Sequence, residues 1–164
     1  MWAQFARTGD PSTPDFQWPA FTGLGAPYWR PEARAVFWGM SRTTGRAELV
    51  KAAEECIDYQ IADVVRAMEA DSGVRIGELR VDGGPTRDRY LMQFQSDLLD
   101  IPVVIPEHEE LSGIGAAYCA GIAAGVYDSA VLARGKRIDF IPQQDGTWRA
   151  RRYQGWKNAV SKLL

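Results

Sequence analysis

The stretch Val81-Asp82-Gly83-Gly84-Pro85-Thr86 constrains the fold more than any other. A strand-like run, Glu78 to Val81, ends there, two glycines turn the chain, and a proline suited to a first helical turn opens a helix reaching about Leu99. That is the βα unit of a layered domain, and its neighbours repeat the pattern. Ile101 to Ile105 is a β-branched strand closed by Pro106; an acidic loop, Glu107 to Glu110, then leads to Ser112, a good N-cap for a Gly- and Ala-rich helix. Upstream, Ala35 to Met40 reads as a short buried strand, and roughly Ala47 to Ala70 as the longest helix, stopped by Gly73. The alternation predicts an α/β domain with helices against a largely parallel sheet. Three clear strands are few for a complete domain of this class.

In the long helix, Ala53, Ile57, Ile61, Val64 and Met68 recur at steps of four and three, which predicts a core-facing stripe. Lys51, Glu54, Asp58, Arg66 and Glu69 populate the opposite side. Residues 1–15 read as a flexible lead-in and residues 16–164 as the folded domain. From Phe16 to Trp29 the density of Gly and Pro precludes a helix, and aromatics including Trp18, Phe21, Tyr28 and Trp29 call for burial, so a packed loop is expected. Asp128 to Arg152 reads as a variable tail before a last helix with Tyr153, Trp156, Val160 and Leu163 on one face.

Composition removes several functions. The 164 residues carry 19 Lys plus Arg against 21 Asp plus Glu, a formal charge of −2, which argues against nucleic acid as partner. The longest apolar stretch, Ile114 to Val126, is broken by glycines and is shorter than a membrane span. Cys56 and Cys119 lack CxxC spacing, and without a signal peptide a reducing cytoplasm is expected. With one histidine, His108, and no GxSxG elbow, a Ser-His-Asp or Cys-His catalyst has almost nothing to draw on.

The chemistry concentrates at the glycine turn. Gly83 and Gly84 permit positive φ and a close ligand approach, and the helix start behind them offers free N–H groups suited to a phosphate or nucleotide. The competing reading is a tight βα turn without a ligand. Asp82 is placed for a metal or base role, or for capping its own turn. There is no GxxxxGK[ST] P-loop, and Gly113-Ile114-Gly115 fails as a dinucleotide fingerprint because Tyr118 holds the third glycine position. Glu107-His108-Glu109-Glu110 is read as a solvated loop, since consecutive residues do not readily converge on one ion.

Several longer motifs carry a resemblance. Pro19-Ala20-Phe21-Thr22-Gly23-Leu24-Gly25-Ala26-Pro27-Tyr28-Trp29 with Ala33-Arg34-Ala35, then Val81-Asp82-Gly83-Gly84 and Leu91-Met92-Gln93-Phe94-Gln95-Ser96-Asp97, resemble the FGGY carbohydrate kinases. Gly115-Ala116-Ala117-Tyr118 and Tyr153-Gln154-Gly155-Trp156-Lys157 continue the match in order, so it covers about Phe16 to Lys162. The Ala-Pro-Tyr-Trp form is that of the glycerol kinase branch.

The resemblance implies an actin-like, ribonuclease-H-like ATPase fold, of which this chain would be the C-terminal part of the second domain, incomplete on its N-terminal side. It implies transfer of the γ-phosphoryl of ATP, with Mg, to a hydroxyl of glycerol or another polyol or sugar. Gly83 and Gly84 would lie against the nucleotide together with Asp88, which stands where that branch usually has Asn. Glu54 stands where the family signature has an apolar residue. The phosphate loops, the polyol site and the general-base aspartate lie upstream in the family, so no catalytic or metal-ligating residue is assigned in this chain. An isolated piece would be inactive and would associate with the missing half or with another copy. The alternative is a non-catalytic remnant or interaction module keeping the fold.

Overall fold

The computed structural model describes residues 24–107, 111–133 and 136–164. Residues 1–23, with the expected lead-in, Trp18 and Phe21, lie outside this set, as do His108, Glu109 and Glu110. The chain divides into two units. The described part of the first is 24–36 with 163–164; the second is Phe37–Lys162.

In the first unit the Gly- and Pro-rich stretch is a loop, as expected. Leu24 and Arg30 exchange both backbone hydrogen bonds at 2.9 Å, and the Tyr28 and Trp29 amides bond to the Gly25 carbonyl. Leu24 is buried, but Trp29 is 70% exposed, so the expected burial of that aromatic fails.

In the second unit, helix α1 spans Arg46–Ser72. The Glu48 side chain accepts the Gly45 N–H at 2.8 Å at its start. At its end Gly73 sits at φ 68°, a left-handed conformation that glycine adopts without strain, and bonds to the Glu69 carbonyl. Strand β1 (Leu79–Arg80) is followed by a 3-10 turn at Gly84–Arg87 and by helix α2 (Arg89–Leu99). Then come β2 (Val103–Pro106), α3 (Leu111–Ala123), β3 (Arg137–Phe140) and α4 (Gly146–Val160).

The sheet has the order β1-β2-β3. Strands β1 and β2 are parallel, Leu79 opposite Val103, whereas β3 runs antiparallel to β2, Val103 opposite Phe140. The sheet is therefore mixed. The third strand lies in the stretch read as a tail; its Arg-Ile-Asp-Phe alternation is the period of a half-buried strand. Ala35 to Met40 forms no strand, and Val36, Phe37, Trp38 and Met40 are each at least half exposed. A lone apolar run has no ladder partner to fix it there.

Helix α2 lies between two cores. Toward the sheet, Leu91 and Met92 pack with Val103, Ile105 and Phe140. On its other face, Phe94 and Leu98 pack with Tyr59 and Ala62 of α1 and with Trp148, Tyr153 and Trp156 of α4. Ser96, fully buried, donates to the Ile101 or Phe140 carbonyl, each at 2.9 Å, and so ties α2 to the sheet edge.

The expected core stripe of α1 is only partly realised: Ile61 and Val64 are half-buried. Ile57 and Met68 are about half exposed, and Ala53 is exposed as well. The buried residues are Glu55, Asp58, Tyr59, Ala62, Asp63 and Val65. Of the residues expected on the opposite side only Asp58 is buried; the buried face is displaced to include Glu55, Tyr59 and Asp63, which meet Tyr90 of α2 and Arg152, Tyr153 and Trp156 of α4. Helix α3 is apolar in composition and has no buried residue. No helix among the described residues is long and apolar enough to cross a membrane.

Candidate functional site

The glycine turn is built from the sheet outward. The Val81 N–H makes the ladder's last bond, to Val104, at 3.0 Å. Gly83 then takes φ 91° and ψ 179°, a region closed to residues with a Cβ. Thr86 closes the turn twice on the Gly83 carbonyl, through its amide at 3.1 Å and its hydroxyl at 2.7 Å. Asp82 is exposed and plays no part in that closure. Thr86, not Asp82, caps the turn.

The helix expected to begin at Pro85 starts instead at Arg89. Asp88 is its N-cap: Oδ1 accepts the Tyr90 N–H at 2.9 Å and the Leu91 N–H at 3.1 Å. Its other oxygen, Oδ2, makes no hydrogen bond among the described residues. Gly83, Gly84 and Asp88 thus come together within one turn at the carboxyl end of β1.

The surface there is open. Nothing lies within 4 Å of where a Cβ on Gly84 would sit, and only the Pro85 ring stands 4.0 Å from one on Gly83. Because β1 and β2 are parallel, Pro106 at the end of β2 lies on the same edge of the sheet as the turn. In α/β sheets that edge is where ligands gather.

Behind the turn, α2 is anchored by groups the sequence pattern does not connect. The Tyr90 hydroxyl donates to Glu55 of α1 at 2.6 Å, and Arg152 of α4 reaches the other Glu55 oxygen at 3.3 Å. Burial, and then the bonded Glu55 carboxylate, raise the Tyr90 phenol above its ordinary range. These residues lie 35 and 97 positions from Glu55, so no local spacing reveals them. A separate cleft of about 600 Å³ opens at the other end of α2, lined by Arg66, Glu69, Arg75 and Arg149 among others; none of the three predicted residues lines it.

Residues 2–124 match the sequence signature of the FGGY family of carbohydrate kinases, C-terminal domain. The chain belongs to the FGGY family. Among FGGY relatives, a glycerol kinase of Haemophilus influenzae is 50% identical over 149 residues, which are 89% of this chain and 30% of that protein. A glycerol kinase of Vibrio vulnificus is 48% identical over 95% of this chain and 32% of its own length. In structure, a Plasmodium falciparum glycerol kinase with ADP superposes with a TM-score of 0.80 at 34% identity, covering 89% of this chain and 30% of that one. A xylulose kinase from Rhodospirillum rubrum gives 0.67 at 26% identity, covering 81% and 28%. The fold is therefore that of the actin-like FGGY ATPases, and the chain spans about 30% of the length of the relatives it matches.

Among the described residues no three His, Cys, Asp or Glu are grouped to hold a metal ion. The acceptor Oδ2 of Asp88 and the open glycine backbone do suit the uncharged, donor-bearing part of a nucleotide.

Proposed function

We propose that this chain is the nucleotide-side, C-terminal part of an ATP-dependent glycerol or related polyol kinase. The observation that carries the reading is the open Gly83-Gly84 turn, set on the Asp88-capped start of α2 in a chain half identical to a glycerol kinase. Gly83 and Gly84 give the adenosine part of MgATP a side-chain-free floor, and Asp88 Oδ2 accepts a hydrogen bond from it. Magnesium arrives with the nucleotide as part of the substrate. Transfer of the γ-phosphoryl to a substrate hydroxyl rests on positioning and charge stabilisation, and the polyol site and the base that takes the hydroxyl proton belong to the remainder of the kinase. On its own the chain is inactive and works in the cytoplasm joined to that remainder, as one polypeptide or by association. The exposed apolar face of α1 and the unburied α3 support such an association.

One observation favours a second reading, a non-catalytic module that keeps the fold. Asp88, which stands where the glycerol kinase branch usually has Asn, accepts hydrogen bonds but does not donate them.

Calorimetric titration with MgADP, with and without Gly84→Val, separates the two. Binding that the substitution abolishes supports the kinase part; no binding at millimolar nucleotide favours the module. Co-expression with the upstream part of a related glycerol kinase is expected to restore ATP-dependent phosphorylation of glycerol. Polyol kinase activity from these 164 residues alone would overturn the assignment of the base to the remainder.

A further inference from the structure

Helix α1 turns three buried carboxyl groups toward α2 and α4: Glu55, Asp58 and Asp63. The outer two are matched. Glu55 takes the Tyr90 hydroxyl and Arg152, with Lys51 at 3.7 Å. Asp63 takes the Tyr153 hydroxyl and the Trp156 Nε1 proton, with Lys157 at 3.9 Å. Asp58, between them, has no exposed surface, and neither of its carboxyl oxygens meets a donor among the described residues. Its backbone carbonyl faces Gln95 Nε2 of α2 at 3.5 Å, which puts the residue at the α1–α2 contact.

An ionised carboxylate enclosed without a donor is far costlier than the neutral acid. The surrounding charges do not relieve it. Glu55 on the same helix and Asp88 at the head of α2 both oppose a negative charge, while Lys51 and Arg152 are engaged with Glu55, as is the Tyr90 hydroxyl. Burial first, then Glu55 and Asp88, push the Asp58 carboxyl up to about 8.

We infer that Asp58 is a proton-controlled latch between α1 and α2: as the neutral acid it lets the helices close, and loss of its proton loosens them. The contact at stake is Tyr59, edge-on to Phe94 at 5.5 Å and stacked on Trp156 at 5.4 Å. The latch operates whether or not a nucleotide binds at the turn.

Between roughly pH 4 and pH 8 the folded chain holds one proton more than the unfolded chain, so this group's contribution to stability falls as pH rises through that window. Urea unfolding of the full chain and of Asp58→Asn, followed from about pH 5 to about pH 9, tests it. The substitution is expected to flatten the fall by one proton's worth, and to remove a reversible near-ultraviolet circular dichroism change that the unsubstituted chain shows near pH 8. Parallel pH profiles for the two proteins would overturn the latch. Should Asp58→Asn not fold, the carboxyl carbon resonance of Asp58 in the unsubstituted chain decides: titration above about pH 7 supports the latch, and a carboxylate already ionised at about pH 6 overturns it.

Discussion

Trp156 of α4 donates its indole N–H to Asp63 of α1 at 2.6 Å, across 93 positions of sequence. The second oxygen of the same carboxylate takes the Tyr153 hydroxyl, so one buried acid joins the chain's longest helix to its last. Burial and then this bond raise the Tyr153 phenol. Asp63→Ala strands two half-buried donors, and a loss of about 1–3 kcal/mol is expected in urea unfolding. Loss under about 0.5 kcal/mol would show that the pair forms without holding the helices together.

The two glycines of the turn respond differently. Gly83 at φ 91° leaves an L side chain strained, and Gly83→Ala is expected to lower stability by about 1–3 kcal/mol. At Gly84 the same Cβ meets no atom, so Gly84→Val leaves the unfolding midpoint within about 0.5 kcal/mol. Its effect falls on MgADP affinity alone, as calorimetry on the folded variant checks.

Asp88 serves as a cap whatever else it does. Asp88→Ala removes the acceptor of two amides at the head of α2 and costs about 1 kcal/mol, while Asp88→Asn keeps an acceptor oxygen and stays within a few tenths. If Asp88 also meets the nucleotide, Asp88→Asn changes MgADP affinity without moving the urea midpoint.

Tyr59 sets an alkaline limit. Burial, and next the Glu55 charge, raise its phenol from 10.0 to about 12. The folded state therefore keeps a proton that the unfolded chain releases, so this contribution is full below about pH 10 and is lost as pH climbs toward 12. Tyr59→Phe is expected to reduce the slope of stability in that window, read by urea midpoints; an unchanged slope assigns the alkaline loss to other groups.

Local patterns were legible where local physics decides. The extent of α1, its stop at Gly73 and the strand before Gly83 follow from capping and turn chemistry within a few residues. The buried side of α1 was not legible. Glu55 and Asp63 are met by Tyr90, Arg152, Tyr153 and Trp156, and Asp58 lies against Gln95; the chain delivers these partners only after folding, and an apolar count ranks the three acids as surface. Strand β3 was lost for a similar reason, since its four residues gain their strand character from pairing with Val103–Pro106. At the site, the glycines announced themselves, while the cap by Asp88 was hidden by the 3-10 turn inserted before α2.

Among the described elements, α2 has side chains in both cores. It behaves as a keystone, unable to tilt without disturbing the sheet on one side and two helices on the other. The turn mounted on its head inherits that stiffness. Whatever settles on Gly84 finds a platform already at rest, and its affinity loses little to ordering the protein beneath it.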